Sequence, residues 1–294
     1  MRITLAIALT AAAVLPACDA RDGSRASSDR LVVFVSLLPQ KFLVQRIADD
    51  HVEVEVLVPP GREPHTFDPT PKQMVHLSKA RAFFTVGIPF EKTLIPKLGS
   101  AEQLRIVDTT RGIKRIPSTD ADEPGLDPHT WMSPRLAKVQ ADRICEALVE
   151  LDPAHATDYQ GNLRQLDADL DALDAKLANA LGPLKGKTFF TFHPAFGYLA
   201  RDYGLEQESV EIGGKAPGPR HVKELIDRAR REGVRVVFVE PQFSQQAATE
   251  IARQIGGVVV SLDPLSEDYI ANLEEIAREI HDALAPAGSP PSRT

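Results

Sequence analysis

Two cysteines, Cys18 and Cys145, are all that 294 residues contain. With the first at the end of an apolar N-terminal leader, no disulfide framework is available to staple the fold. There is no H-E-x-x-H pair and no glycine-rich phosphate loop, so the common local signatures of zinc hydrolases and of ATP-driven motors are missing. No basic patch interleaves with aromatic residues, and a formal net charge of -7 argues against nucleic acid as a partner while suiting a cationic ligand. Beyond the leader, no apolar run approaches the roughly 20 residues that span a bilayer.

What is present is ordinary in bulk, with 43% hydrophobic and 26% charged residues, as expected for a soluble globular chain. Its length exceeds the size at which one core usually stops growing, so two domains are expected. Arg2 and the apolar run Ile3 to Leu15 read as an export signal. Leu15-Pro16-Ala17-Cys18 resembles a bacterial lipoprotein cleavage box, which makes residues 1–18 the leader and Cys18 a lipidated residue that ties the chain to a membrane. Plain cleavage near Ala20 is the competing reading. Residues 19–30 are polar and read as a flexible tether. Cys145, left without a partner, is expected to be a buried, inert thiol.

Strand-like and helix-like runs then alternate. Strands are expected at Leu31–Leu38, Val52–Val58, Ala82–Gly87 and Leu104–Asp108, with helices near 40–50, 71–80 and 90–98. This alternation predicts an α/β fold with mostly parallel sheets flanked by helices. Ser133-Pro134 marks the start of another helix. From Pro153 to Leu181, Leu163, Leu166, Leu170, Leu173 and Leu177 recur at three- and four-residue steps. Twenty-nine helical residues would reach about 43 Å. We read this as a rigid strut (153–182) joining an N-terminal lobe (31–152) to a C-terminal lobe (183–286), in a monomer. A short dimeric coiled coil is the alternative. The second lobe is expected to carry strands at 187–192, 207–212, 234–240 and 258–262 and a last helix at 268–284, with a disordered tail over 287–294.

Four metal-competent side chains stand beside prolines at the ends of strand-like runs: Pro64-His65, Pro128-His129, His193-Pro194 and Asp263-Pro264. Two precede the strut and two follow it, so they can meet only in a cleft between the lobes. Ligands of open parallel sheets bind beyond the carboxyl ends of the strands, where these residues fall. Three imidazoles and a carboxylate suit a tetrahedral transition metal, zinc above all. Each alone has a duller reading as a turn, cap or core residue; together they predict a metal site. Glu240, also at a strand end, is a rival to Asp263 or a partner that orients a histidine. His51, His76, His155, His221 and His281 are expected to be solvated. The acidic stretch Pro117–Pro128 reads as a solvated loop, or as a lip that collects cations.

Five runs carry a closer resemblance: Pro64-His65-Thr66-Phe67-Asp68-Pro69, Asp127 to Pro134, Phe192 to Tyr198, Glu240-Pro241-Gln242-Phe243 and Leu262-Asp263-Pro264-Leu265. In this order they resemble the zinc- and manganese-type solute-binding proteins of bacterial ABC transporters. That resemblance covers nearly the whole chain after Leu31. It implies two α/β lobes bridged by one long helix, with the ion held by His65, His129, His193 and Asp263. It also implies a separate membrane permease and ATPase as partners, and a place in the cell envelope outside the cytoplasmic membrane. Members favouring manganese typically have Glu at the third ligand position, so His193 points to Zn(II), with Mn(II) as the alternative. The histidine-rich loop that many zinc members carry before the second ligand is absent from 117–128. The competing class is a zinc hydrolase, which would need an open coordination position and a general base.

Overall fold

A computed structural model describes residues 30–98, 103–118, 125–211 and 218–285. The leader, Cys18, nearly all of the tether, residues 119–124 of the acidic loop and the tail 287–294 lie outside the described residues.

The first sheet contains β1 (Leu31–Val35), β2 (Val52–Val56), β3 (Ala82–Thr85) and β4 (Arg105–Asp108) in the order β2-β1-β3-β4. All neighbours are parallel, with Val33 opposite both Val54 and Ala82. Helices α1 (Leu38–Ala48), α2 (Pro71–Leu77), α3 (Pro89–Leu94) and α4 (Pro134–Leu151) accompany it. The second sheet repeats the plan with β5 (Thr188–Thr191), β6 (Glu206–Ser209), β7 (Val236–Val239) and β8 (Val258–Ser261), ordered β6-β5-β7-β8 and again all parallel. Its helices are α6 (Gly197–Tyr203), α7 (Pro219–Glu232), α8 (Gln245–Ile255) and α9 (Tyr269–Leu284). The central strands AFFT, TFFT and VVFV are buried almost throughout, as helices on both faces of a parallel sheet require.

The first strand is shorter than the apolar run Leu31–Leu38 suggests. The N–H groups of Ser36 and Leu37 turn from the ladder to the buried Gln40 side chain, which accepts both at 3.1 and 3.2 Å, while Ser36 O still accepts from Val58 N at 3.1 Å. Pro39, without an N–H to lose, then sits in the first turn of α1.

Between the lobes runs α5 (Ala156–Leu181), 26 residues and about 39 Å long, entered through the 3₁₀ turn Pro153–His155. Leu166, Leu170, Leu173 and Leu177 are buried where α5 packs on α1, α4 and α9. Each contributes on the order of 1.5–3 kcal/mol by leaving water. This intramolecular packing uses the leucine stripe that a coiled-coil partner would need. One hydrophobic core passes from Val33 and Phe83 through the α5 leucines to Ile276, Phe189 and Phe238, so the lobes share much of their interior. A smaller core lies under α7 and α8, around Phe190, Leu225 and Ile251.

Both sheets place their topological switch between the first and third strands, where successive connections leave in opposite directions. A buried glutamate occupies each switch. In the first lobe Glu91 accepts from Ser36 Oγ at 2.5 Å, Val86 N at 2.9 Å and Gly87 N at 2.7 Å. In the second lobe Glu240 accepts from the backbone N of His193 at 3.1 Å.

Candidate metal site

His65 lies in the loop from β2 to α2, His129 in the segment from β4 to α4, and His193 two residues beyond β5. His129 and His193 are buried and His65 is half-buried. Their Nε2 atoms converge. His129 Nε2 is 3.4 Å from His65 Nε2 and 3.2 Å from His193 Nε2, and all three ligating atoms fall within 4.8 Å of one another. Tetrahedral zinc with Zn–N of about 2.0–2.1 Å requires N···N edges of roughly 3.3–3.4 Å. The spacing across His129 matches that geometry.

The other face of two rings explains why these nitrogens point inward. Asp127 Oδ1 lies 2.8 Å from His129 Nδ1 and also accepts the His129 backbone N–H at 2.8 Å. Glu211, just beyond β6 and buried, places Oε1 against His193 Nδ1. A carboxylate at Nδ1 holds the proton there, which leaves Nε2 as a lone-pair donor. Lone pairs aimed at one point repel each other and are matched by a cation. Burial first, then the neighbouring His129 and His65, hold the His193 pKa well below the usual imidazole range, so the ring stays neutral and able to ligate. Phe243 stacks on His193 at 4.8 Å between centroids.

Local sequence sets this arrangement. Gly197 opens α6 beside the carboxylate of Asp127, and a Cβ there would lie 2.7 Å from Asp127 Oδ2. Tyr198 Oη donates to Asp127 O at 2.8 Å, fixing the same segment from the second lobe. Trp131 Nε1 donates to Pro264 O at 2.8 Å, and Tyr269 Oη to Trp131 O at 2.6 Å. The His129 turn is thereby tied to the loop that carries Asp263.

The four expected residues are not equally placed. The three histidines come together; Asp263 is outside their cluster, with its Oδ1 accepting from Gln242 Nε2 at 2.9 Å and Leu265 N at 3.0 Å. Glu240 stands behind His193, fully buried, with its pKa raised well above the usual carboxyl range by desolvation. The acidic loop is closed at its base by a bridge between Pro117 and Leu126, and Asp127 turns inward instead of facing solvent. Asp127 and Glu211 escaped the sequence reading as partners of the histidines. The two-residue spacing Asp127-Pro128-His129 and the strand-end position of Glu211 were the available signals. His51 and His155 are a correction. They are half-buried and stacked, 3.9 Å between centroids, with Asp158 3.2 Å from His51 and Asp152 2.7 Å from His155, because α5 begins against the turn before β2.

A converging imidazole triad at the carboxyl ends of two parallel sheets, backed by carboxylates, defines a two-lobed protein built to bind a metal cation. Sequence comparison agrees: the family "Zinc-uptake complex component A periplasmic" (ZnuA) matches residues 33–283, and the chain belongs to it. Membership places it among solute-binding components of uptake systems. A putative metal-binding protein of Chlamydia trachomatis is 32% identical over 253 residues, 85% of this chain and 90% of that one. The iron-binding protein YfeA of Yersinia pestis is 33% identical over 232 residues, 76% of this chain and 75% of its own. Among solved structures, a ZnuA deletion mutant with zinc bound superposes with a TM-score of 0.83 at 38% identity, covering 89% of this chain and 100% of that one.

Proposed function

We propose that this chain captures one Zn(II) outside the cytoplasmic membrane and delivers it to a membrane permease driven by a separate ATPase. His65, His129 and His193 bind through Nε2, and Asp263 supplies the fourth donor. The Nε2 spacing of 3.2 and 3.4 Å carries the reading, since it suits a small tetrahedral ion bound by nitrogen. Manganese prefers more oxygen donors than this set offers. With Asp263 as the fourth donor, no coordination position would remain for an activated water, which disfavours a hydrolase. The protein acts as a monomer held to the membrane by lipid on Cys18, with residues 19–30 as the tether. The strut α5, packed along its length on helices of both lobes, favours release through small movements of the loops carrying His65 and Asp263. Metal analysis of protein purified without added metal, followed by competition of zinc against manganese and iron, tests the proposal. Tighter binding of manganese or iron than of zinc under matched conditions would overturn it.

A further inference from the structure

Asp263 presents its two carboxylate oxygens unequally. Both hydrogen bonds, from Gln242 Nε2 and from the backbone of Leu265, fall on Oδ1. Among the described residues Oδ2 accepts none. The side chain is half-buried and lines a small cavity of about 30 Å³ with Gln242, Leu265, Leu37, Leu38 and the turn Val58–Gly61 that leads towards His65. That volume is the size of a water molecule or an ion. The Trp131 bond to Pro264 keeps this loop two residues from His129.

We infer that Gln242 is the positioning residue that sets metal selectivity, by occupying Asp263 Oδ1 so that only Oδ2 can reach an ion. This rests on the zinc-binding reading above and deepens it. With one carboxylate oxygen available, the three imidazoles and Asp263 make four donors, the number tetrahedral zinc takes. With both oxygens free, the same residues would offer five donors and more oxygen character, which suits manganese better. Gln242 is well fitted to this task because a carboxamide donates without adding charge. Leu265 N–H alone would leave Oδ1 with a single restraint and the carboxylate free to rotate.

The experiment compares wild type, Gln242→Leu and Gln242→Ala, with Asp263→Ala and His193→Ala as references. Zinc and manganese dissociation constants are measured by competition, and cobalt(II) absorption reports coordination number. Both Gln242 variants are expected to lower the zinc-over-manganese preference by about tenfold or more, in the range of lost outer partners of a ligand. Their cobalt spectra should weaken towards those of five- or six-coordinate ions. A merely structural loss would weaken both metals together and leave the ratio and the spectrum unchanged. An unchanged ratio in both variants, with His193→Ala losing zinc, overturns the role of Gln242 and leaves the histidine site standing. Full zinc affinity in Asp263→Ala overturns it as well, since Gln242 acts through that carboxylate. Zinc bound normally by His193→Ala would instead bring down the parent reading. Thermal melts of the metal-free variants confirm that each one folds.

Discussion

His193 and Glu211 are buried against each other, with the ring Nδ1 on the carboxylate of a residue eighteen positions later. The pairing follows from topology, because β5 and β6 are neighbours and both residues stand just past their carboxyl ends. A buried carboxylate facing an imidazole fixes the tautomer and raises the basicity of the opposite nitrogen. Asp127 does the same for His129 from two residues away. Replacing Glu211 by Gln, or Asp127 by Asn, is therefore expected to weaken zinc binding about 10–100-fold without removing a ligand. Competition titration with a chelator measures this, and unchanged affinity in both variants would show that the carboxylates only pack.

Loss of a ligand is more severe. His129→Ala or His193→Ala should reduce zinc affinity by orders of magnitude, because each removes one of the three converging imidazoles. His51→Ala serves as the contrast. It breaks the stack on His155 and the contact with Asp158, so it should lower stability by about 1 kcal/mol, the central value for point substitutions. Zinc affinity in that variant should equal wild type.

Much of this was legible in the chain. The alternation of Val- and Phe-rich runs with helix-like stretches located most strands and helices to within a few residues, because buried parallel strands and amphipathic helices leave different periodicities; β6, Glu206–Ser209, carries no such apolar run. The prolines beside His65, His129 and His193 flagged the loops that converge. What stayed hidden depended on pairing across sequence. Nothing local says that Glu211 will meet His193, since that follows from β6 lying beside β5. Nothing local says that Gln40 will end β1 early by taking two backbone N–H groups. His51 and His155 looked solvated because their stack forms only when α5 docks.

Glu91 predicts a pH dependence separate from the metal. Desolvation by burial raises its pKa from 4.5 to about 7, against the hydrogen bonds from Ser36, Val86 and Gly87. In the unfolded chain the carboxyl ionises near 4.5, while in the folded protein it keeps its proton to about 7. Its contribution is therefore fully present below pH 4.5 and lost as pH rises to 7, by about 3 kcal/mol. Denaturant titrations of the metal-free protein and of Glu91→Gln from pH 5 to 8 isolate this effect. The difference in stability between the two should change up to about pH 7 and level off above it; a constant difference would refute the shift.

Acid should release the metal. Imidazole ligates only when neutral, so protons compete with zinc for each ring. A free imidazole takes up its proton near pH 6.5. His193 departs from that pattern, because burial and its two histidine neighbours hold its pKa well below the ordinary value. Its share of the competition is displaced to lower pH. Zinc affinity should thus be nearly flat above neutrality, fall as the solution becomes acidic, and steepen as His193 begins to protonate. The sign for stability agrees. Between its depressed folded pKa and about 6.5 the unfolded chain binds the extra proton, so His193 stabilises the metal-free fold at neutral pH and loses that contribution as pH falls through this range. Stabilisation by zinc should vanish over the same interval, since it reflects binding to the folded state. The measurement is the zinc dissociation constant from pH 5 to 8, with chelator protonation corrected, read beside thermal melts. A slope of one proton or less throughout would mean that the three histidines do not share the ion.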